Sequence, residues 1–269
     1  MKQNVKVGLA LGSGSARGFA HIGVLEVLEK HLPIEIICGS SMGAVIGAIY
    51  CCGTDLRMLA KFAETLTTRS LMDLKVPKKG FVKGEKIYEL LRVFTKDMSF
   101  EEVEMEFGVM ACDIARGASV LLREGKICDA VRASMSIPGV FVPVEMDDKM
   151  LVDGGVLERV PVGVTRELGA DFVVGVDVGY VGEERRPPKG TFEMFQYTLD
   201  IMGWEAAKQK AAQADYIIVP QVQKVSSMSF GKAKFFIDEG REAALAALPE
   251  IMALYEQKTK ELAKLTATQ

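Results

Sequence analysis

Short apolar runs alternate with longer amphipathic ones along this chain. Lys6–Leu11 (KVGLAL), Ile34–Cys38 (IEIIC) and Asp171–Gly179 (DFVVGVDVG) read as buried strands. The first is followed by a glycine/serine turn and a helix through Ala20–His31 (AHIGVLEVLEKH). The second is followed by GSSMG and an apolar helix from about Ala44. Strand, tight turn and helix, repeated, predict βαβ units and a parallel sheet. Two amphipathic helices follow, from Asp55 and from Gly84, separated by the basic loop Lys75–Gly80. Phe107–Ile114 and Ala118–Gly125 form a predicted hairpin, and Lys126–Gly139 a helix that ends before Pro138. Met150–Gly155 reads as a strand running into a turn. Pro161–Gly169 reads as a short helix with proline at its start and glycine just past its end. Glu183–Gly190 is a surface loop, Thr191–Ala214 helical, Asp215–Pro220 a late strand and Lys234 to about Leu265 mostly helix. No repeat or composition break divides the pattern. The expectation is one α/β domain over residues 1–269, closing in a helical tail from about residue 250.

Composition narrows the chemistry. The chain has 269 residues, 49% hydrophobic and 26% charged, enough apolar content for a substantial core. A net charge of -3 leaves no electrostatic footprint for nucleic acid. The five cysteines form no CxxC pair or Cys/His cluster, so no metal site is expected, and they read as reduced thiols of a cytoplasmic protein. The start of the chain is interrupted by Lys6 and Arg17, unlike a signal peptide, and the run Ala44–Cys52 is too short to span a bilayer. Any membrane contact is expected at the surface.

The sharpest motif is Gly39–Ser40–Ser41–Met42–Gly43. It is a G-x-S-x-G string between a predicted strand and a predicted helix, the setting that makes its central serine a nucleophile. The competing reading is an ordinary glycine-serine turn. A serine nucleophile needs a base, and the only histidines are His21 and His31, both ahead of Ser41. A Ser, Asp/Glu, His order is therefore excluded, and His21 is expected to pack or hydrogen-bond at the start of its helix. Asp153, ending a predicted strand before Gly154 and Gly155, is a candidate carboxylate base. An ordinary Asp-Gly turn competes with that role, as do Asp113 and Asp177, which also sit near strand ends. The loop Gly12, Ser13, Gly14, Ser15, Ala16, Arg17, Gly18 offers backbone N–H donors for an oxyanion, with Arg17 adding positive charge. It also fits a dinucleotide-binding turn, but the second strand ends in Cys38–Gly39–Ser40 without the acidic residue that would hold a ribose.

Taken together, Gly8–Glu29, GSSMG and DGG, with SMSIPGVFVPV (Ser134–Val144), Ala214–Val222 and Ser229–Ala244, resemble the patatin-like phospholipase family of serine acyl hydrolases. The resemblance runs from about Val5 to the mid-250s. It implies a three-layer α/β/α fold with a mainly parallel central sheet. It also implies a Ser41–Asp153 dyad, oxyanion donors from Gly14 and Ser15, no cofactor, and a lipid or acyl-ester substrate with peripheral membrane contact. Ser13 and Ser15 depart from the family, many members of which carry glycine there. Two alternatives stay open at this point: a silent nucleotide- or acyl-binding module, and an acyl-carrier-dependent acyltransferase. The Met, Phe and Leu residues of Asp55–Ser99 and Ser226–Lys234 are expected to be ordinary core rather than a lid or acyl groove. Lys78, Lys79, Lys83, Arg185 and Arg186 are expected to be solvated loop residues rather than head-group contacts.

Overall fold

A computed structural model describes residues 5–67, 82–179, 182, 184 and 187–267. The basic loop with Lys78 and Lys79, and Arg185 and Arg186, lie outside the described residues. Eight strands form one sheet: β1 (Val7–Leu11), β2 (Ile34–Ser40), β3 (Glu106–Asp113), β4 (Ala118–Leu122), β5 (Val144–Met146), β6 (Lys149–Asp153), β7 (Phe172–Val176) and β8 (Tyr216–Ile218). The helices are α1 (Ala20–Leu28), α2 (Met42–Cys51), α3 (Leu56–Thr65), α4 (Glu85–Phe94), α5 (Ile127–Ser134), α6 (Val162–Glu167), α7 (Thr191–Ala211) and α8 (Ala233–Ala267).

The parallel part of the sheet runs β3-β2-β1-β7-β8. Its strands are mostly apolar because both faces are covered, with Glu35 and Glu106 exposed near the starts of β2 and β3. On one face Val7, Leu9, Leu11, Phe172, Val174 and Val176 enter the main core under α1, α2, α3 and α8. On the other face the residues are small. A Cβ on Gly8 would lie 2.5 Å from Thr165 Cγ2, so the glycine lets α6 settle close to the sheet. Ala10, Val173, Val160 and Val162 make the thinner core on that side. The sequence therefore builds an α/β/α sandwich with unequal layers.

The sheet is parallel except at a single edge, where β4, β5 and β6 all pair antiparallel, β4 through the hairpin that the sequence predicts. A hairpin turn of four residues after β3 leaves no room for the crossover that a parallel return requires. Strand β5 was not legible in the sequence; its three residues are too few to show a period.

The edge arrangement positions the site. Strand β4 occupies one edge of β3 along Val109–Asp113, so β2 and β6 must share the other. Strand β2 leaves that edge at Ser40, opposite Met110, and β6 takes it over with Asp153 opposite Ala111. The two strands run toward each other and meet end to end. Residue 41 and residue 153 are neighbours because adjacent residues of β3 template their strands.

Candidate active site

At the end of β2 the chain makes its tightest bend. Ser41 has φ 53° and ψ -120°, a left-handed conformation that a side chain rarely adopts. The flanking glycines make the bend feasible. A Cβ on Gly39 would lie 2.5 Å from the Ala44 backbone, and one on Gly43 2.1 Å from the Leu11 carbonyl oxygen. The nucleophile-elbow reading of Gly39 and Gly43 thus has a steric cause, since neither position has room for a methyl group. Ser41 precedes the first turn of α2, whose unpaired N–H groups and positive dipole end face it.

The Ser41 hydroxyl donates to Asp153 Oδ2 at 2.5 Å, and the other carboxylate oxygen, Oδ1, accepts the Gly155 N–H at 2.8 Å. Both residues are buried, Ser41 to 4% exposure and Asp153 to 7%. Burial pushes the Asp153 carboxyl up to about 6, against the hydrogen bonds from Ser41 and Gly155, which favour the ionised form. Gly154 and Gly155 are needed for this packing: a Cβ on the first would lie 2.2 Å from Met110 O, and on the second 2.4 Å from Ser13 Oγ.

The competing carboxylates are otherwise engaged. Asp113 receives Arg116 Nη1 at 2.7 Å, which holds it below the usual carboxylate range together with the Ala115 N–H. Asp177 is paired with the buried Arg159 at 3.2 Å. His21 is fully buried, and its Nε2 lies 2.8 Å from Gly12 O. Burial lowers its pKa to about 4, so the neutral ring donates through Nε2 and fastens the glycine loop. That is the packing role the sequence suggested for it.

Within the loop the residues divide. The Gly12 N–H donates to Val176 O at 3.0 Å, and the Ser13 N–H to Arg159 O at 2.9 Å, so neither faces the site as a donor. The Gly14 and Ser15 N–H groups have no acceptor among the described residues, and Ser15 lines the cavity beside Ser41. Ser15 has φ 51°, a conformation that glycine adopts without strain, which explains the preference for glycine at this position. Gly18 lets the loop rest on Met42, where a Cβ would come within 2.3 Å of the methionine Cγ. Arg17, expected to add positive charge to the loop, is buried. Its guanidinium donates to Gln223 O at 2.8 Å and to Val225 O at 3.0 Å, binding the loop to the segment before α8.

From Ser41 an apolar cavity of about 110 Å³ runs between α2, α3 and α4. Val45 and Ile49, Phe62 and Leu66, and Ile87 and Phe94 form three of its walls, closed by Phe141 and Phe230. The residues expected to be plain core in the α3–α4 region and around Phe230 therefore have two faces. Leu59, Ala63 and Leu91 also join the core, but as the lining of a space. Amphipathic spacing gave no sign of it, because a residue facing a cavity is as apolar as one facing a neighbour. Lys83 lies at the mouth of α4, its carbonyl accepting from Arg132. Among the described residues no group of three or more His, Cys, Asp or Glu could hold a metal ion, and no helix is long and apolar enough to cross a membrane.

An elbow serine on a parallel-sheet crest, a carboxylate and an apolar cavity define a serine-hydrolase class of site. The chain belongs to the patatin-like phospholipase family, which residues 9–166 match. An uncharacterized NTE family protein of Mycobacterium tuberculosis (strain ATCC 25618 / H37Rv) is 38% identical over 188 residues, covering 68% of this chain and 51% of its own. Lysophospholipase NTE1 of Candida albicans is 33% identical over 194 residues, covering 68% of this chain and 14% of its own. The chain thus spans about half the length of the mycobacterial relative and much less of the fungal one. The crystal structure of VipD from Legionella pneumophila shares the fold, with a TM-score of 0.62 at 13% identity over 93% of this chain and 67% of that one.

Proposed function

We propose that this chain is a serine acyl hydrolase that cleaves fatty-acyl esters of phospholipids, lysophospholipids or related lipids, with one patatin-like unit spanning its length. The observation that carries the reading is the 2.5 Å hydrogen bond from Ser41 Oγ to Asp153 at the head of an apolar cavity. Asp153 takes the hydroxyl proton as Oγ attacks the ester carbonyl carbon. The carbonyl oxygen becomes an oxyanion held by the Gly14 and Ser15 N–H groups. As the tetrahedral intermediate collapses, Asp153 returns the proton to the leaving alcohol and the acyl group stays on Ser41. Water then attacks the acyl-enzyme, Asp153 again accepting the proton. As the second intermediate collapses, the bond from Ser41 Oγ to the acyl carbon breaks, Asp153 returns that proton to Oγ, and the fatty acid departs. A carboxylate raised to about 6 is a stronger base than a free aspartate and remains mostly ionised at pH 7. Family membership and the lysophospholipase name of the Candida relative support an acyl-lipid substrate over nucleotide binding.

The reading needs only peripheral membrane contact. Met194, Phe195, Ile201 and Met202 project exposed from α7, which packs over the Gly154–Val156 turn next to Asp153. Fluorophosphonate labelling followed by a screen of acyl esters tests the proposal, with wild type and Ser41→Ala side by side. The wild type is expected to form one Ser41 adduct and release fatty acid; equal hydrolysis by both would refute it.

A further inference from the structure

The segment Ser134–Ile137, read in the sequence as the end of a helix and as part of a resemblance, lies where α5 runs out at Ser134. In the structure it touches both members of the pair. Ser41 sits beyond the last ladder position of β2, so its N–H has lost its strand partner. Ser134 Oγ accepts that N–H at 2.8 Å. Two residues on, the Ser136 carbonyl accepts the Asp153 N–H at 3.0 Å. Ser134 and Ser136 are both fully buried. The alternate residues, Met135 and Ile137, face the opposite way and line the apolar cavity. Arg132 holds the turn in place: Nη1 donates to Ser136 Oγ at 2.7 Å, and Nη2 to Lys83 O at 2.6 Å. Its guanidinium also lies 5.4 Å from the centre of the Phe141 ring.

We propose that Ser134 is the positioning residue of the nucleophile, its hydroxyl holding the Ser41 backbone in the left-handed bend that aims Oγ at Asp153. The proposal rests on the Ser41–Asp153 reading above. A serine in that backbone region is strained, and strain persists only where surrounding bonds over-determine it. Glycines 39 and 43 make the bend sterically accessible, but they apply no force that keeps it. The hydrogen bond to Ser134 supplies the missing constraint. The paired bond at Ser136 keeps Asp153 in register with it, so one turn sets the distance between nucleophile and base.

The test compares Ser134→Ala with Ser134→Thr, which keeps an acceptor, and with Thr165→Val, which removes a buried hydroxyl on the other face of the sheet. Ser134→Ala is expected to lower kcat and fluorophosphonate labelling by ~10²-fold with KM unchanged, the scale of a small misplacement of a reacting group. Ser134→Thr is expected to recover most of that loss, and Thr165→Val to show none. The acid limb of the pH profile gives an independent readout. Burial and the two hydrogen bonds set the Asp153 value, and its ionisable neighbour across β6, the Cys112 thiol, is held neutral by burial. If Ser41 Oγ swings off Asp153, the limb moves above about 6; if the site merely loosens and hydrates, it moves down toward the ordinary carboxylate range. A Ser134→Ala enzyme within threefold of wild type, an equal loss in Thr165→Val, or a downward limb overturns the proposal. Should Ser134→Ala not fold, Ser134→Thr is compared with Ser134→Cys, whose sulfur accepts weakly, and equal activities overturn it. Absence of a Ser41 adduct in the wild type refutes the underlying reading instead, so the two failures are distinguishable.

Discussion

Replacing Asp153 by asparagine is expected to strengthen the fold while removing the activity. Burial raises the carboxyl from 3.8 to about 6, so the folded chain resists ionising a group that the unfolded chain ionises freely. The sign follows from linkage. The contribution to stability is full below about pH 3.8, declines as pH rises through about 6, and is flat above that. A shift of about two units, at about 1.4 kcal/mol each, makes the ionised carboxylate worth about 3 kcal/mol of lost stability at pH 8. Asparagine has the same outline without the charge. Its Oδ1 can keep the Gly155 N–H, and its Nδ2 can donate to Ser41 Oγ in place of the present bond. One amide hydrogen and the Ser41 hydroxyl hydrogen then lack acceptors, which costs about 2 kcal/mol. The net expectation at pH 8 is a variant more stable by about 1 kcal/mol. Near pH 4 the gain vanishes, because the wild-type carboxyl is then protonated when folded. Urea unfolding of both proteins at pH 4 and pH 8, followed by circular dichroism, measures the double difference, and turnover on an acyl ester is assayed in parallel. A difference between the two proteins that does not change with pH would refute the argument that Asp153 is a desolvated base.

Three further outcomes follow from the same geometry. The kcat/KM of the wild type should rise with pH through about 6 and level off near neutrality, and His21→Gln should keep both that limb and fluorophosphonate reactivity. His21 is already neutral there, and a glutamine amide can donate to Gly12 O in its place; loss of the limb in a folded His21→Gln protein would show an essential imidazole. Ile49→Phe should narrow the apolar cavity and move the acyl preference toward shorter chains by about tenfold in kcat/KM; an unchanged preference in a chain-length series would mean that the cavity does not take the acyl chain. Serine at Met194, Phe195, Ile201 and Met202 together should reduce hydrolysis of lipid in vesicles several-fold and leave a soluble short-chain ester untouched. Equal effects on both substrates would remove α7 from the membrane-contacting surface.

The elements were largely legible because their signals are local. Apolar runs, the amphipathic pattern from Asp55, and Gly169 after α6 are read within a few residues. So was the elbow, since its glycines and its serine are adjacent in the chain. What local patterning does not convey is long-range, and the pairing of Ser41 with Asp153 was implied by the family resemblance alone. The contact of Ser41 with Asp153 spans 112 positions, and its cause is the register of β3, which no periodicity encodes. Ser134 was invisible for the same reason: a serine at a helix end is ordinary until the chain 93 positions earlier is seen to present it an unpaired N–H. The hydrogen bonds of Arg17 are long-range in the same way, reaching backbone carbonyls of the segment at 223–225.

The absence of a downstream histidine acquires a physical reason in this architecture. A triad uses an imidazole to bridge a serine and a carboxylate that are not themselves in contact. Here the carboxylate arrives on an antiparallel strand that ends where the serine strand ends, on one edge of β3. The separation closes to a single hydrogen bond, and no third group fits between the two side chains. In the proposed mechanism the imidazole's other task, supplying a base of suitable strength, falls to burial, which brings a carboxyl to about 6. The short antiparallel edge of the mainly parallel sheet is thus the feature that makes a two-residue mechanism geometrically available.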